Sequence, residues 1–273
     1  MLYLTHIPKA PLCEFVELFW YYEGYTQPHA KERIMPDGSM ELVINLREDE
    51  SRIYDTENPE LFDRYSGSIL AGPRSGFFVI DTVGQASVIG IHFRPGGVSR
   101  FLKLPLNELQ NQCVTLDCLW GRAGADFRNR VLEAPTPEAR LRVLEQCLLE
   151  QTARPMEQPA AVRGALHYIS HQLAGLSVAD LAGHIGLGRR RFIQVFSEEV
   201  GLTPKLFCRV RRFQQVLHSI HGRDDIDWAD VALGCGYFDQ AHFNHDFRAF
   251  SGINPSTYLR HRTDHLNHVP LLD

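Results

Sequence analysis

The first hundred residues alternate short apolar runs with turn-forming residues, the period-two pattern of half-buried strands. Residues 17–25, 40–46, 68–71, 77–81 and 87–93 are predicted strands. Pro36-Asp37-Gly38, Gly72-Pro73-Arg74 and Pro95-Gly96-Gly97 separate them as turns. Past Gly97 the period lengthens to that of a helix, with Val98, Phe101 and Leu102 on one face. Residues 117–133 and 137–149 predict two further helices, the second striped by Leu141, Leu144, Leu148 and Leu149. Between Glu150 and Pro159 two prolines sit among polar neighbours. This stretch predicts a linker at 151–159, between a domain of residues 1–150 and one of residues 160–273. Everything after it has a helical pattern.

Within residues 176–259 the pattern repeats. Asp180-Leu181-Ala182 recurs as Asp230-Val231-Ala232, and Gly186-Leu187 as Gly236-Tyr237, both 50 residues on. Phe192, Phe196, Gly201, Pro204 and Phe207 recur 51 residues on as Phe243, Phe247, Gly252, Pro255 and Tyr258. One added residue therefore falls at the head of the second helix of the second copy. Each copy reads as helix, tight turn, helix. Ser177 and Asp227 are predicted caps, Leu181, Ile185 and Leu187 line the first inner face, and Val231 and Leu233 pack in the second copy. Asp239 caps the last of these helices, and Pro204 and Pro255 restart the chain at first helical positions. The outcome is two tandem helix-turn-helix units.

A plain helical bundle with a duplicated hairpin would have the same inner pattern. The outer faces distinguish the two readings. With Phe192, Val195 and Phe196 turned inward, Arg189, Arg190 and Gln194 face out; in the second copy the equivalents are Gln240, Ala241, Asn244 and His245. Arg, Gln and Asn pair with base edges, and Ala contacts a thymine methyl. Residues 204–218 would make a helix roughly 22 Å long, a strut holding the two units about one duplex turn apart. Its apolar stripe is Phe207, Val210, Phe213 and Leu217; Lys205, Arg209, Arg211 and Arg212 lie mostly off it, as phosphate contacts or as a solvated face.

Residues 160–262 resemble the AraC/XylS family of bacterial transcription regulators. The matching segments are LSVADLAGHIGL with FIQVF, GLTPKLFCRVRRFQQVLHSI, and WADVALGCGYFDQAHFNHDFRAFSGINPSTYLR. The resemblance implies two helix-turn-helix units joined by one long helix, with the helices beginning near Arg189 and Asp239 entering successive major grooves. Gly188 departs from the Ser cap frequent in the family, and Gln194 and His245 stand where Arg is frequent. Asp239 and Asp246 would repel phosphate unless they serve as cap and ion-pair partner.

Residues 8–150 resemble an uncharacterised, DUF6597-like domain found ahead of AraC-type domains, through MPDGSMELVINL, AGPRSG, GIHFRPGG and LPLNELQNQCVTLDCLWG. The whole chain is thus expected to be α+β: a cupin-like β-barrel with trailing helices, then an all-α domain. The resemblance implies an N-terminal half that binds a small effector, dimerises, or both. Arg74 and Arg94, each leaving a strand into a Gly/Pro turn, suit an anionic ligand or a structural pairing with a carboxylate such as Asp37. Trp20 and Tyr22 line a pocket or belong to the core.

Composition narrows the field further. The chain has 273 residues and a formal net charge of −5, which by itself argues against a nucleic-acid partner. Split at residue 155, the first part carries 16 basic against 21 acidic residues and the second 12 against 12. The acid excess therefore lies outside the segment expected to touch DNA, whose own basic residues are clustered. Three scattered histidines, His6, His29 and His92, do not make a metal cupin, and no catalytic set or phosphate-cradling loop is evident. His242 and His245 near Cys235, and the series His261, His265, His268, read as recognition-helix and tail residues rather than zinc ligands. Cofactors and catalytic residues are expected to be none. Six cysteines without an export signal read as reduced thiols and a cytoplasmic chain, with no membrane partner.

The leading reading is a sequence-specific regulator partnered by double-stranded DNA, with a small effector, a second copy and RNA polymerase as further partners. Its rival is a small-molecule-binding or enzymatic barrel whose helices serve protein contacts. A repair methyltransferase acting through a reactive Cys fits poorly, because Cys13 stands alone near the N-terminus.

Overall fold

A computed structural model describes residues 1–24, 26–172 and 177–271. The first half contains strands β1 (Leu2–His6), β2 (Val16–Glu23), β3 (Lys31–Ile34), β4 (Glu41–Asn45), β5 (Glu50–Tyr54), β6 (Phe62–Ser66), β7 (Ser68–Ala71), β8 (Phe78–Asp81), β9 (Ser87–Phe93) and β10 (Cys113–Thr115). Helices α1 (Leu116–Trp120), α2 (Arg122–Glu133) and α3 (Pro137–Glu150) follow. The second half is α4 (Ala160–His171), α5 (Val178–Ile185), α6 (Arg189–Val200), α7 (Pro204–Ser219), α8 (Trp228–Gly234), α9 (Gln240–Ser251) and α10 (Pro255–His261), then strand β11 (His268–Pro270). The chain is α+β, as expected. Among the described residues no helix is long and apolar enough to cross a membrane.

The strands form two antiparallel sheets, a six-stranded one ordered β1-β2-β9-β4-β7-β10 and a five-stranded one ordered β11-β3-β8-β5-β6. Alternation gives the larger sheet two different faces. Phe19 and Tyr21 of β2, Leu42 and Ile44 of β4, and Ile89, Ile91 and Phe93 of β9 are buried in one core with Phe127, Val131, Leu141, Leu144 and Leu148 of α2 and α3. The intervening Trp20, Tyr22, Glu41, Val43, Val88 and His92 line a cavity on the opposite face. Strands β3, β5 and β6 escape the sequence pattern because KERI, ESRIY and FDRYS each carry two or three charged residues in place of an apolar alternation. The predicted strand at 17–25 ends at Glu23, and its last residue, Tyr25, lies outside the described residues.

Two expectations need correction. The helix predicted past Gly97 is a single 3-10 turn, Gly97–Arg100, although Val98, Phe101 and Leu102 are buried as the pattern required. The helix predicted over 117–133 breaks at Gly121 into α1 and α2. The two halves are also joined. Strand β11, at the C-terminal end of the helical half, pairs with β3 of the first half, His268 opposite Ile34 and Pro270 opposite Glu32. The linker is also pinned: the amides of Ala153 and Arg154 donate to the Arg100 carbonyl, and Arg100 Nη1 donates to that of Glu157 at 2.7 Å.

One hydrophobic core runs through both helical units. Phe192, Phe196 and Val200 of α6 pack with Leu181 and Ala182 of α5, and Phe207, Phe213 and Leu217 of α7 continue toward Phe243, Phe247 and Phe250 of α9. Met35, just past β3 in the first half, and Val269 of β11 join this core.

Candidate nucleic-acid interface

Both units are built as the repeat predicts. Ser177 Oγ accepts from the Asp180 amide at 3.1 Å and Asp180 Oδ2 accepts from the Ser177 amide, a reciprocal cap on α5. Asp227 accepts from the amides of Ala229 and Asp230, and Asp239 from that of His242 at 2.7 Å. Gly188 leaves α6 without a side-chain cap. Leu233, predicted to pack, is instead 64% exposed. The short α8 places it on the turn away from Val231 and Ala232, which are the buried pair.

The outward faces are where the repeat places them. Arg189, Arg190 and Gln194 on α6 are exposed, as are Gln240, Ala241, Asn244 and His245 on α9. Arg191 is exposed beside them and donates to Gln194 Oε1 at 3.2 Å, while Gln194 Nε2 donates to Glu198. The basic cluster at the start of α6 thus holds three arginines, with no acid in its first turn. At α9 the cap is an aspartate and the exposed first turn is neutral apart from histidine, with Arg248 only in the last turn.

The strut departs from expectation. Helix α7 has 16 residues, about 24 Å, but of its four cations only Lys205 is exposed. Arg209 Nη2 donates to Asp246 Oδ1 at 2.6 Å and its Nε to the same carboxylate, with the guanidinium over the Phe250 ring. The pair keeps Arg209 protonated beyond even its ordinary range. Arg211 donates to the backbone carbonyl of Asp37 in the first half, and Arg212 lies over the Tyr237 ring at 5.2 Å. These three arginines hold α7 to its neighbours, which corrects the expectation that they lie free for phosphate. Asp246 is 1% exposed, and Arg209 answers its charge.

The first half contributes a second feature. Trp20, Tyr22, Arg74 and Arg94 all line one cavity of about 960 Å³ between the two sheets, bounded on the helical side by α4 and α7. Gly90 makes room for the Trp20 indole, since a Cβ there would lie 2.4 Å from the ring. Trp20 Nε1 donates to Glu41 at 2.8 Å. Arg74 donates to the Asn111 carbonyl and the Cys113 sulfur and lies over Phe78; Arg94 Nε donates to the Cys13 carbonyl. Neither arginine pairs with Asp37, whose partner is His92 Nε2 at 3.4 Å. His92 Nδ1 lies 3.6 Å from Glu41. Burial alone would lower the imidazole's pKa, but Glu41 and Asp37 outweigh it and hold it up at about 9. His92 was passed over in the sequence as one of three scattered histidines. The available signal was its place on the Trp20 face of the alternation, in register with Glu41. Among the described residues no cluster of His, Cys, Asp and Glu is arranged to hold a metal ion.

Comparison with known families and proteins finds two matching segments. Residues 4–115 match a domain of unknown function, DUF6597, and residues 181–261 match a helix-turn-helix domain. The chain is 25% identical over 109 residues to the HTH-type transcriptional regulator ExsA of Pseudomonas aeruginosa, covering 40% of this chain and 39% of that one. To the arabinose operon regulatory protein of Escherichia coli K12 it is 26% identical over 160 residues, 53% of this chain and 54% of the other. The chain therefore spans about half the length, or less, of these curated relatives. Among solved structures, ToxT of Vibrio cholerae aligns over 94% of this chain and 98% of its own, with 11% identity and a TM-score of 0.47. The chain thus carries a helix-turn-helix domain behind a DUF6597 domain, and the curated relatives it resembles are named as regulators.

Proposed function

We propose that this chain is a sequence-specific DNA-binding transcription regulator. The observation that carries the reading is the pair of 12-residue helices, α6 and α9, each with its aromatic face buried and its polar face exposed, on one rigid strut. In this reading Arg189, Arg190 and Gln194 read bases in one major groove, and Gln240, Ala241, Asn244 and His245 read those in the next. The regulator names of its relatives support it. Salt-titrated binding to the DNA beside the protein's own gene is the test. The regulator reading requires preference for that DNA over random duplex, and it fails if none exists even at low salt. Arg190→Ala is expected to cost about 1–3 kcal/mol on the preferred site and to relax selectivity there.

The cavity between the sheets supports control by a small effector, with Trp20, Tyr22, Arg74 and Arg94 in its wall together with the charged His92. Thermal shifts against a metabolite panel test this. A first half that no metabolite stabilises while the full chain sediments as a dimer assigns that half to dimerisation instead. RNA polymerase is the further partner a DNA-bound regulator would act on.

A further inference from the structure

The two helical units differ by one residue, and the structure shows which one it is. Both close their turn with the same hydrogen bond, Leu187 amide to Ala182 carbonyl at 3.2 Å and Tyr237 amide to Ala232 carbonyl at 2.9 Å. In the first unit Gly188 follows at once as the N-cap of α6; in the second, Phe238 intervenes before the N-cap Asp239. Phe238 is the inserted residue. It is also the most exposed large apolar side chain among the described residues, at 87%. Its neighbours leave it no alternative: Tyr237 is 3% exposed and locked inward, and Asp239 is committed to the His242 amide. The ring therefore stands out at the head of α9, beside Gln240 and Ala241.

Resting on the DNA-binding reading above, we propose that Phe238 is a specificity-determining residue that packs on thymine C5-methyl groups in the groove read by α9. Such methyls are the apolar feature of the major-groove edge, and an aromatic side chain is among the groups that read them. The α6 face reads by charge and hydrogen bonds from Arg189 and Arg190 in its first turn, whereas the first turn of α9 offers neutral Gln240 and Ala241, its one arginine, Arg248, lying in the last turn. An apolar contact there supplies selectivity without charge. It also gives an exposed phenylalanine a surface to be buried on.

The test begins with the duplex that the full-length chain selects from a random pool. Each thymine in the α9 half of that duplex is replaced by uracil, which removes only the methyl. The expected result is a loss of about fourfold in affinity per contacted methyl. Phe238→Ala should bind the parent duplex about tenfold more weakly and not respond to uracil, while Phe238→Leu should keep part of the response. Both variants should melt with the wild type, since the ring touches nothing that holds the fold. Uracil substitution without effect on the wild type overturns the proposal. So does a Phe238→Ala loss that is equal on every duplex, or unchanged DNA affinity, which would mark the ring as a protein-docking residue. If the wild type selects no duplex, the DNA-binding reading itself fails and takes this inference with it.

Discussion

At the residue scale, the basic side chains fall into two groups that sequence spacing could not separate. Lys205 and Arg189 to Arg191 are exposed, whereas Arg209 is spent on Asp246. Each phosphate contact contributes about 0.9 to the slope of log affinity against log salt. Lys205→Ala is therefore expected to flatten that slope by about one with no change in melting temperature. Asp246→Ala should do the reverse: it leaves Arg209 half-buried and unpaired, and costs roughly 3 kcal/mol of stability in denaturant titration. A second residue-scale prediction concerns His92. Its folded-state pKa of about 9 lies above the ordinary 6.5, so the imidazolium's contribution is complete below about pH 6.5 and is lost as pH rises through about 9. The melting temperature should fall across that range in the wild type, and His92→Gln should remove the fall. A wild-type imidazole that titrates near 6.5 by NMR contradicts the pairing with Glu41 and Asp37.

At the element scale, what was legible is what local physics alone specifies. Caps, left-handed glycines and period-3.6 aromatics announced α5, α6, α8 and α9, because each signal acts within a few residues. Strands β3, β5 and β6 are invisible because their place is set by partners far along the chain, which also pair their charges, as His29 and His268 do the buried Glu32. The cavity shares the strands' fate: Trp20 and Arg74 are nameable, but only the pairing of β2 with β9, β9 with β4 and β4 with β7 brings them to one wall. The limits of elements were also misread where a tertiary contact decides, as with the 3-10 turn at Gly97. Two glycines separate local from tertiary demands. Gly186 and Gly201 both end helices at positive φ, +71 and +88. A Cβ on Gly186 meets nothing within 4 Å, so Gly186→Ala should cost only about 1 kcal/mol for its left-handed backbone. On Gly201 it would lie 2.5 Å from Pro73 of the first half, so Gly201→Ala should cost clearly more in the same denaturant titration. Equal costs would mean that the contact between the halves contributes little.

At the scale of the whole molecule, that contact is the central question, because α6, the first proposed recognition helix, takes part in it. Glu199, near the end of α6, accepts from Arg100 and from Ser99 Oγ at 3.0 Å, and Arg154 reaches its other oxygen at 3.3 Å. Arg100 and Ser99 belong to the turn that follows Arg94 and Pro95, which line the cavity. A short covalent path thus runs from the cavity wall to the helix carrying Arg189, Arg190 and Gln194. A buried pair of this kind stabilises little against an apolar pair of equal volume, but breaking one side strands a charge. Glu199→Ala should therefore cost about 3–5 kcal/mol and separate the unfolding of the two halves into distinct transitions. The double change Arg100→Leu with Glu199→Leu should recover most of that stability and a single transition. If the single variant unfolds as one unit with little loss, the halves are held by their apolar contacts at Met35, Phe77 and Val269, and the ion pair merely fills the seam. If the double variant stays split, charge rather than packing registers α6 on the first half, and the position of that helix depends on the turn beside the cavity.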